Sequence, residues 1–456
     1  MTPSATLAEY VARFSYEQAP PPVIDRAKQI FVDTLGCAVA GYTAAREECG
    51  WILGLVKQLG GTPEATVWMD GFRTSSVHAA LANGTMIHTV DFDDTHPGSV
   101  SHLGASLLAT VLAVGERTGA SGRDVLAALV AGYEVGARVG NAVNKDGRTH
   151  YRFWHPTATV GTIGAAAAAA KLMGLDADRI EQAIGLAVDQ AAGFRYCIDH
   201  GDFSKSLHPG WAAMRAVLSA QLMTLGVTGP KGLLESDAGF CRATSASPSL
   251  EELTRGLGAE FEILRDALKF YPTIHCSHTA IEATLGVVAR HDVAPEDVDR
   301  VDVRISDLAK GQGMNPDPVT PLAARLSIPF CVATAVLRRH VRLEDFTEEQ
   351  LHDPAIRAFI PKVNVIPERA FNLQYPAGFV ADLTLRTRRG REHRAFLVYP
   401  RGHPDRPAGE AEVLEKYRAL TALTWPPARA EQVLGILREL EKLESVRELA
   451  RCLGSP

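Results

Sequence analysis

At 456 residues the chain is too long for one ordinary hydrophobic core, and two or three domains are expected. Hydrophobic residues make up 46% and charged residues 22%, a balance that excludes a disordered chain. Lys and Arg number 47 against 53 Asp and Glu, a formal net charge of −6, so no nucleic acid and no anionic membrane is expected as a partner.

The opening residues Met1-Thr2-Pro3-Ser4 lack a basic and then apolar stretch, and no signal peptide is expected. Residues 22–40, 75–90, 103–117, 122–139, 156–173, 179–192 and 211–225 carry apolar positions at helical spacing, with Gly174 and Gly226 placed as C-terminal stops. Several of these helices are rich in Ala and Gly on all faces, the mark of buried, closely packed helices. The longest apolar stretches, 103–115 and 157–170, fall short of a membrane span. After about residue 265 the period changes: 301–305, 379–385 and 395–399 alternate as strands do, with a turn at 388–390 and one helical run expected over 322–340. From 409 the chain returns to amphipathic helix. The seven cysteines are scattered without a CxxC pair, which reads as free thiols in a reducing, cytoplasmic compartment.

His-Pro stands before an expected helix at His96-Pro97, His155-Pro156 and His208-Pro209. Proline suits the first helical turn, so each preceding histidine would sit at the positive helix end, among unpaired N–H groups. Lys205 precedes the third of these helices, and Lys269 and His275 precede a fourth over 277–290. Histidines and lysines gathered at helix starts suit a small polycarboxylate. Singly, each is more often a cap or a core residue, and Lys205 by default a solvated loop lysine. The segment Asp91-Phe92-Asp93-Asp94-Thr95-His96, with His102 nearby, invites a divalent ion. Its spacing matches neither the calcium loop nor HExxH, and His275-Cys276-Ser277-His278 lacks a second ligand pair for zinc. Neither a phosphate loop after a strand nor a GxSxG elbow is present.

The ordered blocks 33–41, His88-Thr89-Val90-Asp91-Phe92-Asp93-Asp94-Thr95 with His102, His155-Pro156-Thr157, 205–210, Lys269-Phe270-Tyr271-Pro272 with 278–283, and 400–404 with Lys416 resemble the 2-methylcitrate dehydratase/cis-aconitate decarboxylase/iminodisuccinate epimerase family, the MmgE/PrpD family. The resemblance implies a mainly α fold: a large all-helical domain (1–266 and 405–456) and an inserted smaller α+β domain (267–404). It also implies a homodimer, and a lyase working without metal or organic cofactor in a cleft between the domains. Residue by residue it implies His102, Lys205, Asp91 and His155 as catalytic and Thr95, Lys269 and His275 as substrate-binding. Lys205 and His102 would share proton transfer, Asp91 and Thr95 would orient the histidine, and His155, Lys269 and His275 would clamp carboxylates.

Two positions depart from the family pattern: Lys310 falls where decarboxylases place a tyrosine, and Phe330 replaces a tyrosine common in relatives. Dehydration of a 2-methylcitrate-type acid is therefore the first expectation, with decarboxylation or epimerisation as alternatives. A metal-dependent hydrolase and a non-catalytic carboxylate-binding protein are the readings of another class.

Overall fold

Local signals in the first half set the helix ends. The computed structural model describes residues 1–145, 150–307 and 313–454. The first half builds α1 (Pro3–Arg13), α2 (Pro21–Ala44), α3 (Arg46–Leu59), α4 (Ser76–His88), α5 (Leu103–Thr118), α6 (Gly122–Asn144), α7 (Pro156–Leu172), α8 (Ala177–Gln190) and α9 (Ser204–Thr224). The side chains of Ser75, Ser121 and Asp176 accept hydrogen bonds from the backbone N–H groups of His78, Asp124 and Arg179, so each caps its helix. Gly174 (φ +70°) and Gly226 (φ +88°) take the left-handed conformation just past α7 and α9, as expected of helix stops.

Of the three His-Pro pairs, only His155-Pro156 starts a helix as expected, with His155 as N-cap of α7. His96-Pro97 lies in a turn, and α5 begins later with His102 as its N-cap. His208-Pro209 lies inside α9, which starts at Ser204 and takes Lys205 into its first turn. Pro209 is the sixth residue of α9, past the turn whose N–H groups are unpaired in any case, so its missing N–H leaves the Lys205 carbonyl without its helical donor.

Close helix packing brings site-bearing segments together. A Cβ on Gly84 of α4 would lie 2.9 Å from the Gly210 Cα of α9, and one on Gly210 would lie 2.4 Å from the Leu81 carbonyl oxygen. Only glycine allows that crossing. Four residues beyond Gly84 is His88, and five before Gly210 is Lys205, so the crossing sets the end of α4 against the start of α9.

Two apolar cores are present among the described residues. One gathers side chains from Leu7 to Phe270 with Val413 to Leu453. It includes α13 (Glu410–Thr421), which packs on α2, and the helices α14 (Pro427–Arg438) and α15 (Arg447–Gly454). The other gathers Ile274 to Leu385, joined by Val100, Tyr151, Cys197 and Ile198 from the first half. Its four-stranded sheet has β1 (Val298–Ser306), β2 (Val363–Glu368), β3 (Ala381–Thr387) and β4 (Glu392–Leu397) in the order β2-β1-β3-β4. β1 pairs parallel to β2 (Val301 with Val363) and antiparallel to β3 (Val303 with Leu383). The helices α10 (His278–His291) and α12 (Ile328–Arg338) pack against it. The helical run expected over 322–340 is broken: α11 (Pro321–Arg325) stops, and Ser327 caps a new helix by accepting from the Phe330 N–H at 3.2 Å. The chain is mainly α with a smaller α+β part. No helix among the described residues is long and apolar enough to cross a membrane.

Candidate active site

The segment after α4 carries most of the site, and it is held in an unusual backbone shape. Asp91 (φ +49°) and Val100 (φ +53°) both adopt the left-handed region, which disfavours side-chain-bearing residues. Long-range bonds offset that cost. Thr95 and Ala267 exchange two backbone hydrogen bonds of 2.8 Å, tying the segment to the strand-like stretch that carries Lys269. Lys416 of α13 donates to the Phe92 carbonyl at 2.8 Å while paired to Asp33 of α2 at 2.6 Å. The Asp94 carboxyl accepts from the Gly104 N–H (3.0 Å) and the Tyr133 hydroxyl (2.8 Å).

Held this way, Asp91 points its carboxylate at two lysines. Its Oδ1 accepts from Lys269 Nζ at 2.6 Å and lies 3.2 Å from Lys205 Nζ. Lys205 also donates to His88 Nε2 at 2.9 Å, and His88 Nδ1 donates to Asp93 at 2.9 Å. The His102 Nδ1–H donates to the Asp94 carbonyl at 2.7 Å, with Thr95 Oγ1 at 3.0 Å. A carbonyl oxygen can only accept, so this fixes the tautomer and leaves His102 Nε2 with its lone pair free. The His88 ring centroid lies 4.8 Å from that of His102 and 6.2 Å from that of His155. His155 Nδ1 meets His208 Nδ1 at 2.7 Å, a contact that needs one proton between two neutral rings. His88 and His155 are buried, while His102 keeps part of its surface open.

Burial and cations govern protonation here. Burial alone would raise the Asp91 carboxyl, but Lys205 and then Lys269 outweigh it and hold the group well below the usual carboxylate range. His102, His155 and His275 are pushed well below the ordinary imidazole range, first by burial and then by Lys269, His208 and His278 respectively. All three are neutral near pH 7 and able to accept a proton or a hydrogen bond. His275 feels Lys269 and His102, yet both its ring nitrogens are buried without a partner. Asp91 Oδ2 is likewise unpartnered. Buried polar atoms left without partners mark a place where a ligand supplies them.

The acidic segment does not converge on a cation. Asp91 faces two lysines, Asp93 faces His88, and Asp94 faces Tyr133, so the three carboxylates serve separate partners. The ring nitrogens of His88, His102 and His155 do come within 4.8 Å of one another. The Lys205 ammonium already occupies the His88 lone pair, and Lys269 adds a second positive charge nearby. That donor set suits an anion better than a divalent ion. A cavity of about 740 Å³ is lined by Thr89, Phe92, Ser206 and Phe270, the chain neighbours of His88, Asp91, Lys205 and Lys269, and by none of those four themselves. The Arg325 guanidinium reaches across to the Thr89 carbonyl at 2.8 Å.

Six of the seven residues expected from sequence come together: Asp91, Lys205 and Lys269 touch, Thr95 and His102 touch, and the His155 ring centroid lies 6.3 Å from that of His102. His275 packs on His278 and Phe379, within electrostatic reach of Lys269 and His102. One expected role is corrected. Asp91 takes the two lysines rather than orienting the histidine, which is held by Thr95 and the Asp94 carbonyl. Sequence reasoning passed over His88, Asp93 and His208 as site residues. The first two lie in the quoted 88–95 block and His208 in a noted His-Pro pair, but nothing in spacing alone assigns them partners. Phe330 is buried against Phe346 at 5.8 Å between ring centroids, and Lys310 lies outside the described residues.

Known proteins resemble the chain along nearly its whole length. It is 30% identical over 454 residues to a human protein named cis-aconitate decarboxylase, covering 95% of this chain and 91% of that one. An Aspergillus oryzae cis-aconitate decarboxylase-like protein is 27% identical, covering 98% and 96%. A Yarrowia lipolytica mitochondrial 2-methylcitrate dehydratase is 23% identical, covering 94% and 85%. Residues 5–253 match the MmgE/PrpD N-terminal domain and residues 271–442 the MmgE/PrpD C-terminal domain. With two lysines and a set of neutral histidines gathered around one carboxylate, and with both domain signatures in order, the chain belongs to the MmgE/PrpD family.

Proposed function

We propose that the chain is a lyase acting on a small polycarboxylate, through negative charge that develops on a carbon next to a carboxylate. The observation that carries this reading is the single buried cluster of Lys205, Lys269, His102 and His155, with His275 within electrostatic reach, in which several polar atoms await partners. Neutral His102 presents a free Nε2 as base. Lys205 shares the proton transfer with His102, Lys269 neutralises carboxylate and enolate-like oxygens, and Asp91 fixes both lysines in place. His155 and His275 hold substrate carboxylates. In dehydration the base removes a proton from carbon, and an acid protonates the departing hydroxyl. In decarboxylation a carboxylate leaves as carbon dioxide, and an acid protonates the carbon left behind.

Dehydration of a 2-methylcitrate-type acid stays the first reading, because Lys310 replaces a tyrosine where decarboxylases carry one. Decarboxylation of a cis-aconitate-type acid is the second, favoured by the 30% identity to a decarboxylase across nearly the whole chain. The test is to incubate the protein with 2-methylcitrate, cis-aconitate and iminodisuccinate in deuterated water and follow each by NMR. A new alkene, loss of carbon dioxide, or deuterium exchange without net loss names the reaction. No change in any of the three overturns the proposal. Full loss of turnover on exhaustive chelation would favour the metal-dependent alternative.

A further inference from the structure

His88 has no part in the roles above, yet it lies fully buried within the cluster. Both its ring nitrogens are engaged: Nδ1 donates to Asp93 and Nε2 accepts from Lys205 at 2.9 Å. The charged and titratable groups facing it are Asp93, Lys205 and Asp91, with the His102 and His155 rings tilted against it and His208 within electrostatic reach.

An ammonium group can donate a proton but cannot take one. If Lys205 is to act as a base, it must first shed a proton to a group it touches. Asp91 is a poor acceptor, because two lysines hold it strongly anionic. His88 Nε2 is the other contact, with its lone pair aligned to an Nζ–H. Charge balance favours the transfer. In the resting state Asp91 carries two cations, while Asp93 faces a neutral ring. With the proton moved, Asp91 pairs with Lys269 alone and Asp93 pairs with an imidazolium, so each ion has one opposite partner. Burial opposes the move and keeps His88 neutral at rest, so the transfer is transient.

We propose that His88, braced by Asp93, is the proton partner of Lys205: the Nζ–H bond breaks as an Nε2–H bond forms, and Lys205 becomes a neutral amine able to take a proton from carbon. The Nζ lone pair then forms the new N–H bond while the C–H electron pair stays on the substrate. Lys205 passes that proton to the departing hydroxyl, which leaves as water, and His88 returns its proton to the Lys205 amine. His88 does not touch substrate. It acts through Lys205 and is a positioning residue. The inference rests on the lyase reading for the role of Lys205.

The test compares His88→Gln, His88→Asn and Asp93→Asn with wild type. Gln places an amide oxygen near the Nε2 position, so it keeps an acceptor for Lys205 but cannot carry the proton. The first readout is the rate at which acetic anhydride acylates Lys205 at pH 7, followed by peptide mass spectrometry; thermal melts confirm folding. A fall of about tenfold or more in His88→Gln and in Asp93→Asn is expected. Acylation of His88→Gln at the wild-type rate overturns the proposal, because it means His88 only holds Lys205 in place. The second readout is turnover: kcat of His88→Gln should fall about 10²–10⁴-fold with KM little changed and the pH profile of kcat altered, and a wild-type kcat overturns the proposal equally. If no acid is turned over, the lyase reading fails, while the acylation ratio still decides the partnership.

Discussion

Two of the regions that bury charge in this protein treat it differently. On α6, Arg138 and Glu134 lie one turn apart, both buried, with Nε and Nη2 of the arginine donating to Glu134 Oε2 at 3.0 and 2.9 Å. The same guanidinium also donates to the carbonyls of Arg255 and Glu260, and Glu134 Oε1 accepts from the Glu262 N–H at 2.6 Å. That network is closed and pins the 255–262 loop to the helix. The cluster around Asp91 buries more charge but leaves both His275 nitrogens and Asp91 Oδ2 open. A closed buried network specifies structure, whereas an open one is reserved for a ligand.

The contrast can be broken in either direction. Lys205→Ala and His102→Ala should each lower kcat about 10²–10⁴-fold, since each removes a positioned acid or base, while thermal melting changes little. A variant of either kind that turns over at the wild-type rate would overturn the role assignments. Arg138→Ala should do the reverse. Leaving Glu134 buried without its partner should destabilise the fold by about 3–5 kcal/mol in urea unfolding, and what remains folded should keep its kcat. His275→Phe separates the two effects in one residue. Losing a carboxylate contact should raise KM about tenfold, worth about 1.4 kcal/mol. Removing two unpartnered buried nitrogens should stabilise the fold by about 1 kcal/mol. A destabilised variant with normal KM would place His275 with the structural network instead.

The same contrast explains what the sequence disclosed. Closely packed helices such as α5, α6 and α7 were legible because apolar periodicity, serine caps and glycine stops are local. α3 was not, since it buries only Cys49, Ile52, Leu53 and Val56 and leaves Trp51, Leu55 and Leu59 exposed, blurring its pattern. β2 was missed because Pro367 argues against a strand, and it is tolerated here because β2 lies at the sheet edge. The seven site residues were reached through ordered blocks rather than spacing. The roles of His88 and Asp91 depend on which side chains meet across 110 or more residues, as Lys205 and His88 do through the Gly84–Gly210 crossing. No local pattern encodes that meeting.

The smallest expected effect concerns a third kind of buried charge, closed by a proton rather than by a cation. Asp94 and Asp266 form a buried pair of carboxyls beside the Thr95–Ala267 bridge, with Asp94 Oδ1 and both Asp266 oxygens free of any other partner. Burial, and then the charge of Asp93, raise Asp94 to about 7; burial, and then Asp94, raise Asp266 well above its ordinary value. The folded chain therefore binds more protons here than the unfolded chain does above the ordinary carboxylate range. Stability from the pair is complete below about pH 4 and is lost as pH rises through 7. Asp266→Asn supplies an amide donor to Asp94 at any pH, and it removes a group that must either hold a proton or repel its neighbour. Urea unfolding should find the variant close to wild type at pH 5 and more stable by about 1 kcal/mol at pH 8. An equal difference at both pH values would mean that the pair carries no shared proton. In that case the loop bearing Asp91 is braced by its backbone bonds and by Lys416 alone.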